Sequence, residues 1–315
     1  MMNIGVHIII AYGLDWLIGD PEFLPHPVRW IGRYAAWLES VSRRWISNER
    51  AAGCVTVVMV VTTSGACVLG FMECAGAIWP FGKDIVMIWV LYTALATRDL
   101  SRHAMRVKDH LDHEDLAGAR HAVSMIVGRD TSAMDAPAVA RAAVESVGEN
   151  MVDGVTAPLM VMLVFGPVGV IMYKAVSTLD SMFGYRNQRY HLFGWCAARL
   201  DDLLTFIPAR LTMPCAALAA LISGNDFRGV ISVTLRDWKL HESPNSAWGE
   251  AAIAGGIGAK IGGYAVYAGK TVERPTIGNG DVVAEPHQIA RAVRLMEMTS
   301  IVCLAAGILI REVVL

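Results

Sequence analysis

The sequence predicts an all-α, polytopic integral membrane protein with about five or six membrane segments, some of them broken or re-entrant, joined by helical cytoplasmic loops. Three observations predict it. Its 315 residues are 54% hydrophobic and only 18% charged, and a mean hydropathy of +0.43 is too high for an ordinary soluble enzyme. The apolar residues are gathered into uncharged runs rather than scattered. Basic residues collect between particular runs, as they do in loops retained on the cytoplasmic side.

The elements follow in order. Between Met1 and Gly19 the only charge is Asp15, with no basic start and no small-x-small cleavage site, so this stretch reads as a retained first helix rather than a removable signal peptide. Residues 51 to 72 carry no charge, and residues 85 to 97 form a shorter uncharged run that needs flanking residues to reach the roughly 20 required to span. Together they predict a helical hairpin turning near Trp79-Pro-Phe-Gly-Lys83. Residues 154 to 173 are uncharged, residues 203 to 225 hold only Arg210, and residues 298 to 310 form a last apolar run before Arg311. No linker-like composition and no internal repeat divides the chain, which is expected to be a single membrane-embedded domain over residues 1–315.

Orientation comes from the basic residues. Residues 21 to 50 hold Arg29, Arg33, Arg43, Arg44 and Arg50, residues 98 to 153 hold seven Lys or Arg, and the hairpin tip between them holds only Lys83. Cytoplasmic loops are therefore expected at about 20–50, 98–153 and 226–297. A conflict follows. If residues 154 to 173 cross once, the polar stretch Thr178 to Asn187 lands outside, although it is flanked by Lys174, Arg189 and Arg199 and itself contains Arg186. The expected resolution is that one or both flanking segments are broken, at Phe165-Gly-Pro-Val-Gly169 or at Pro208, Arg210 and Pro214. Such breaks are tolerated where backbone lines a protein-enclosed cavity.

Several function classes are disfavoured. A net charge of −2 with dispersed basic residues gives no electrostatic footprint for nucleic acid. The six cysteines show no C-x-x-C pairing, which supports neither a disulfide framework nor a thiolate metal site. Gly263 to Thr271 imitates a phosphate-binding P-loop, but five residues separate its glycines where four are needed. His103, His110 and His113 could share a helix face, yet histidines on a polar helix are usually solvated.

One constellation points to chemistry. Asp135-Ala-Pro137 predicts a helix start, with Asp135 as N-cap and Pro137 in the first turn, and the helix is expected to run to about Asp153. Glu145, Glu149 and Asp153 then recur at every fourth position and stack on one face. They form either a solvated acidic face or ligands of a magnesium ion, which takes oxygen ligands and is held by one or two carboxylates plus substrate phosphates. Asp201 and Asp202, with Arg199 near, read equally as an interfacial anchor, and Ser243-Pro-Asn-Ser-Ala-Trp248 as a turn.

A family resemblance rests on a series of blocks: Leu14-Asp-Trp-Leu-Ile-Gly-Asp-Pro21, Pro25-His-Pro-Val28, Gly128-Arg-Asp-Thr-Ser132, Glu145-Ser-Val-Gly-Glu-Asn150 with Asp153-Gly154, Thr178-Leu-Asp-Ser-Met182 with Gly184-Tyr-Arg-Asn187, Ala198-Arg-Leu-Asp-Asp202 and Ser243-Pro-Asn245. In order and content they closely resemble the CbiB, or CobD, family of cobalamin biosynthesis. The resemblance implies a multi-pass enzyme of the cell membrane, adenosylcobinamide-phosphate synthase. Such an enzyme joins a corrinoid substrate, adenosylcobyric acid, to (R)-1-amino-2-propanol phosphate or a related amino-alcohol through an amide, with ATP as driving reagent.

Roles follow from that implied reaction. Activating a carboxylate as an acyl phosphate calls for Mg2+, basic groups on the transferring phosphoryl oxygens and a carboxylate to accept the ammonium proton. Glu145, Glu149 and Asp153, with Asp201 and Asp202 as a second cluster, are the expected metal ligands. Arg129, Lys174, Arg186 and Arg199 are expected on phosphate, with Asp130, Asn187, Ser243 and Asn245 as further substrate-binding residues. Glu145, Glu149 and Asp180 are the expected catalytic groups, Asp180 as base. Assembly at the lipid bilayer would hold scarce corrinoids close to other cobalamin-assembly enzymes. The rival reading is a transporter or sensor that binds an anionic ligand without catalysis.

Overall fold

The computed structural model describes residues 3–314, apart from 22, 24, 186, 242, 268 and 284. In chain order its helices are α1 (Ile4–Ile18), α2 (Pro27–Trp45), α3 (Glu49–Ile78), α4 (Gly82–Thr93), α5 (Thr97–Asp112), α6 (Leu116–Ser124) and α7 (Ala136–Asn150). A π-helical stretch, Met151–Thr156, leads into α8 (Ala157–Phe183), and α9 (Trp195–Ser223), α10 (Phe227–Asp237) and α11 (Ser246–Ile257) follow. A hairpin of β1 (Lys260–Tyr267) and β2 (Lys270–Gly278) precedes α12 (Pro286–Val314).

The protein is an all-α polytopic membrane protein. Among the described residues, four helical spans are long and apolar enough to cross a membrane: Glu49–Ile78, Ala136–Phe183, Trp195–Ser223 and Pro286–Val313. The apolar α1 is shorter, and α4 at 12 residues falls well below spanning length. The expected hairpin is present, with α3 and α4 joined by a turn in which the Gly82 N–H donates to the Trp79 carbonyl at 2.9 Å.

Of the two expected breaks, the first is present. Inside α8, Gly166 adopts φ 65 and ψ −158 immediately before Pro167, a conformation glycine reaches without a Cβ penalty. The second site behaves differently. Helix α9 runs on through Pro208 and Pro214, and the Pro208 carbonyl accepts from Thr212 Oγ1 at 2.9 Å.

The chain folds into two compact units, interleaved along the sequence. One comprises residues 1–96, 158–205 and 307–315, the other residues 97–157 and 206–306. Interleaving means that no linker marks a boundary in the sequence. The first unit packs α2, α3, α4 and α8 around a core that includes Ile31, Val60, Val90, Ile171, Leu179 and Phe193. In the second unit α7 packs on α5 and α11, α10 packs on α11, and the β-hairpin lies against α11 and α7.

Gly249, Gly255, Gly256 and Gly262 serve close packing, whereas Gly258 and Gly263 face open space and adopt positive φ. A Cβ on Gly249 would sit 2.2 Å from the Gly148 carbonyl oxygen, so α7 and α11 cross backbone to backbone. A Cβ on Gly255 would meet the Gly229 carbonyl oxygen at 2.3 Å, which brings α10 and α11 equally close. The imitation P-loop is the hairpin itself, paired in register from Tyr267↔Lys270 back to Lys260↔Gly278 with a shift between Ile261 and Gly263.

Candidate functional site

The sequence-predicted residues fall into two groups, one per unit. In the second unit Asp135 caps α7 as expected, its side chain accepting from the Ala138 N–H at 2.9 Å. The helix ends sooner than expected. From Met151 the backbone widens into the π stretch that carries Asp153.

Glu145 does not lie on a solvated acidic face; it is 2% exposed. The close α7–α11 crossing brings it near Glu250, also 2% exposed. Glu145 Oε1 accepts from the Gly262 N–H at 2.8 Å, and Oε2 accepts from Arg274 Nη1 at 3.0 Å and from Arg129. Arg274 Nη2 also reaches Glu250 Oε1 at 3.2 Å. Both oxygens of Glu145 are thus engaged by N–H donors. Among the described residues no group of three or more His, Cys, Asp and Glu side chains is placed to hold a metal ion.

Two carboxylates sharing Arg274 differ in their support. Glu145 has three N–H donors, from Gly262, Arg274 and Arg129. For Glu250, burial pushes the carboxyl up to about 8; Arg274 opposes this, while Glu149 and Glu145 add to it. Burial thus favours the protonated form of Glu250 where an ordinary carboxyl is ionised.

The Gly128 to Ser132 block forms a loop over the hairpin, the Asp130 N–H donating to the Val266 carbonyl at 2.9 Å. Asp130 itself turns back to Ser132, whose hydroxyl and N–H hold its carboxyl below the usual range. The Ser243 and Asn245 block is also a structural turn. Buried Asn245 accepts from Arg210 Nη1 at 3.2 Å, and the Arg210 guanidinium lies against Phe206 and Trp248 at 3.3 and 5.0 Å from their ring centres.

The first unit holds the other group. Most of the polar Thr178 to Asn187 stretch is not loop: residues 178 to 183 are the last turns of α8, and the helix ends at Gly184, whose N–H donates to the Asp180 carbonyl at 2.6 Å. Asp180 is half-buried on that helix, near enough to Asp202 on α9 for their charges to interact. Arg199 lies 3.9 Å from Asp202 and is 68% exposed. Asp201 and Lys174 are half-buried in the same unit. Asn187 caps the following turn, accepting from the N–H groups of Arg189 and Tyr190 at 3.1 and 3.0 Å. Arg186 lies outside the described residues.

Residues that the sequence did not single out complete both groups. In the first unit Glu39 on α2 accepts from Arg43 and Arg189, which ties the segment after α8 to α2. In the second unit Glu250 and Arg274 were missed. Glu250 carries the only charge in Ser246–Ile257, a signal that could have found it; Arg274 lies in an unforeseen strand and gives none.

An apolar cavity of about 1040 Å3 in the first unit is walled by Trp30, Tyr34, Phe71 and Trp89 and is lined by none of these polar residues.

A family model described as CobD/CbiB protein matches residues 8–296. The chain belongs to the CobD/CbiB family. It is 44% identical over 279 residues to the cobalamin biosynthesis protein CobD of Geobacter metallireducens, covering 89% of this chain and 88% of the relative. It is 42% identical over 305 residues to the cobalamin biosynthesis protein CobD of Klebsiella pneumoniae, and 39% identical over 305 residues to the cobalamin biosynthesis protein CbiB of Salmonella typhi, in both cases covering 96% of each chain. No solved structure matches. Membership in the CobD/CbiB family therefore rests on a match that runs through both groups of polar residues.

Proposed function

We propose that this CobD/CbiB-family protein acts in cobalamin biosynthesis as an ATP-dependent carbon–nitrogen ligase of the cell membrane. It would join adenosylcobyric acid to (R)-1-amino-2-propanol phosphate, or a related amino-alcohol, to give adenosylcobinamide phosphate. The observation that carries the reading is the family match over residues 8–296, which takes in every block of polar residues named above.

The two groups divide the work. Asp180, half-buried beside Asp202, is suited to take the proton from the attacking ammonium group, since a base is most effective when partly withdrawn from water. Asp201 and Asp202 in one unit, and Glu149 and Asp153 in the other, are two separate candidate pairs for magnesium, which when bound would neutralise charge on ATP phosphates. Arg199 and Lys174 would bind phosphoryl oxygens, Arg by its planar fork and Lys as a point charge. Arg129, Glu145 and Asn245 act as positioning residues, because each is held in internal contacts within its unit.

Purified protein in detergent, given adenosylcobyric acid, aminopropanol phosphate, ATP and magnesium, is expected to form the amide and consume ATP. Ligand binding without product would favour the transporter or sensor reading.

A further inference from the structure

The apolar cavity of the first unit, about 1040 Å3 in volume, takes its walls mainly from three helices. Trp30 of α2, Phe71 of α3 and Trp89 of α4 meet there, with ring centres 6.1 Å apart for Trp30 and Trp89 and 6.2 Å apart for Phe71 and Trp89. Trp30 and Phe71 are each more than half exposed, so this wall is reached from outside the protein. Among the described residues no charged side chain lines the cavity.

That lining selects its occupant. Ordered water needs two to four polar partners, and apolar walls do not supply them. A polar metabolite would give up its hydrogen bonds to water without replacement. Walls with nothing against them forfeit dispersion contacts, and folded proteins leave few voids larger than a water molecule. An apolar chain restores those contacts and loses no hydrogen bond.

The source of such a chain follows from where the cavity lies. It runs along α3, a helix long and apolar enough to cross a membrane, from Thr63 near the helix centre to Cys74. At about 1.5 Å per residue the distance from residue 63 to residue 74 is about 16 Å, close to half of the roughly 30 Å hydrocarbon core and so the depth of one leaflet. Beyond the Cys74 end, exposed Trp79 stands in the turn after α3, as tryptophan does at headgroup level.

We infer that this cavity binds one acyl chain of a membrane phospholipid, with the tail running from the Cys74 end towards Thr63 and the headgroup outside. A free fatty acid would carry a carboxylate for which the lining offers no cation. The inference concerns binding alone and stands whether or not the ligase reading does.

The test uses the full-length protein in detergent with a phosphatidylcholine that carries a photoreactive diazirine on one tail, and cross-linked peptides are mapped by mass spectrometry. Labelling is expected on α3 between residues 63 and 74 and on α2 around Trp30, and excess ordinary phosphatidylcholine should compete it away. Gly70 lines the cavity, and a Cβ there meets no heavy atom within 4 Å, so Gly70→Trp fills the cavity without striking backbone. It is expected to cut labelling of those segments about tenfold. Gly13→Trp adds the same bulk to α1, where a Cβ also meets nothing within 4 Å, and should leave labelling unchanged. Gly70→Leu serves should Gly70→Trp not fold. Wild-type labelling in a folded Gly70 variant overturns the site, as does an equal loss in Gly13→Trp. Competition by glycerophosphocholine, which has no tails, or by palmitate as strong as that by phosphatidylcholine, overturns the phospholipid tail as its occupant.

Discussion

Glu145 with Glu250 in one unit, and Asp180 with Asp202 in the other, are both pairs of helix-borne carboxylates, yet their surroundings treat them oppositely. The first pair is 2% exposed and is tied together by Arg274, with Arg129 and the Gly262 N–H completing the shell. The second is half-buried, and the cation at its edge, Arg199, is mostly in water. Charges taken out of water are tolerated only when internal donors replace the solvent. A pair with its donors built in holds the fold, whereas a pair that leans on a solvated arginine is open to an external cation or proton. The same residue type is thus saturated by internal donors in one unit and left half-buried beside a solvated arginine in the other.

The strongest break of that comparison is Arg274→Ala. It removes the group shared by two buried glutamates, and loss of one partner from a buried ion cluster costs about 3–5 kcal/mol. Thermal unfolding in detergent is expected to show a large drop or failure to fold; a near-normal melt would mean that the cluster is not structural. Asp180→Ala should behave in the opposite way. Loss of a general base costs about 100-fold or more in turnover, while the melting temperature stays close to wild type, because among the described residues Asp180 makes no ion pair within 4 Å. An Asp180→Ala protein that unfolds but, once rescued, turns over normally would reverse the roles of the two units.

A subtler test uses pH. Glu250 has its folded value raised from 4.5 to about 8, so the folded state binds the proton more tightly than the unfolded chain. Its contribution to stability is present in full below about pH 4.5 and is lost as pH rises through about 8. Glu250→Gln keeps the neutral shape and is expected to flatten that part of the stability profile; an unchanged slope would place the proton elsewhere. The smallest effect expected is from Asp135→Ala. It removes the α7 cap for about 1 kcal/mol, and because α7 carries Glu145 the loss should appear as stability rather than as a change in KM.

What could be read from the chain divides along the same line. The α3–α4 turn, the Asp135 cap and the break at Gly166 and Pro167 were legible because each depends on neighbours within a few residues. The end of α7 was not, since nothing local in Met151–Thr156 announces a π-helical widening. The helical state of Thr178 to Phe183 was also hidden, because its polar residues suggest a loop. The β-hairpin was missed for a further reason: its strands carry glycines and charges, and pairing rather than periodicity makes them strands.

By itself the sequence determined the all-α membrane class, most helix positions and the set of polar blocks that mark the family, because hydropathy, caps and prolines act over short distances. Which carboxylates are neutralised, and by what, was decided only in three dimensions. Glu145 meets Arg274 across 129 positions and Glu250 meets it across 24, through a helix crossing that Gly148 and Gly249 allow. Electrostatic fate depends on burial and on partners far along the chain, and both exist only once the helices have packed.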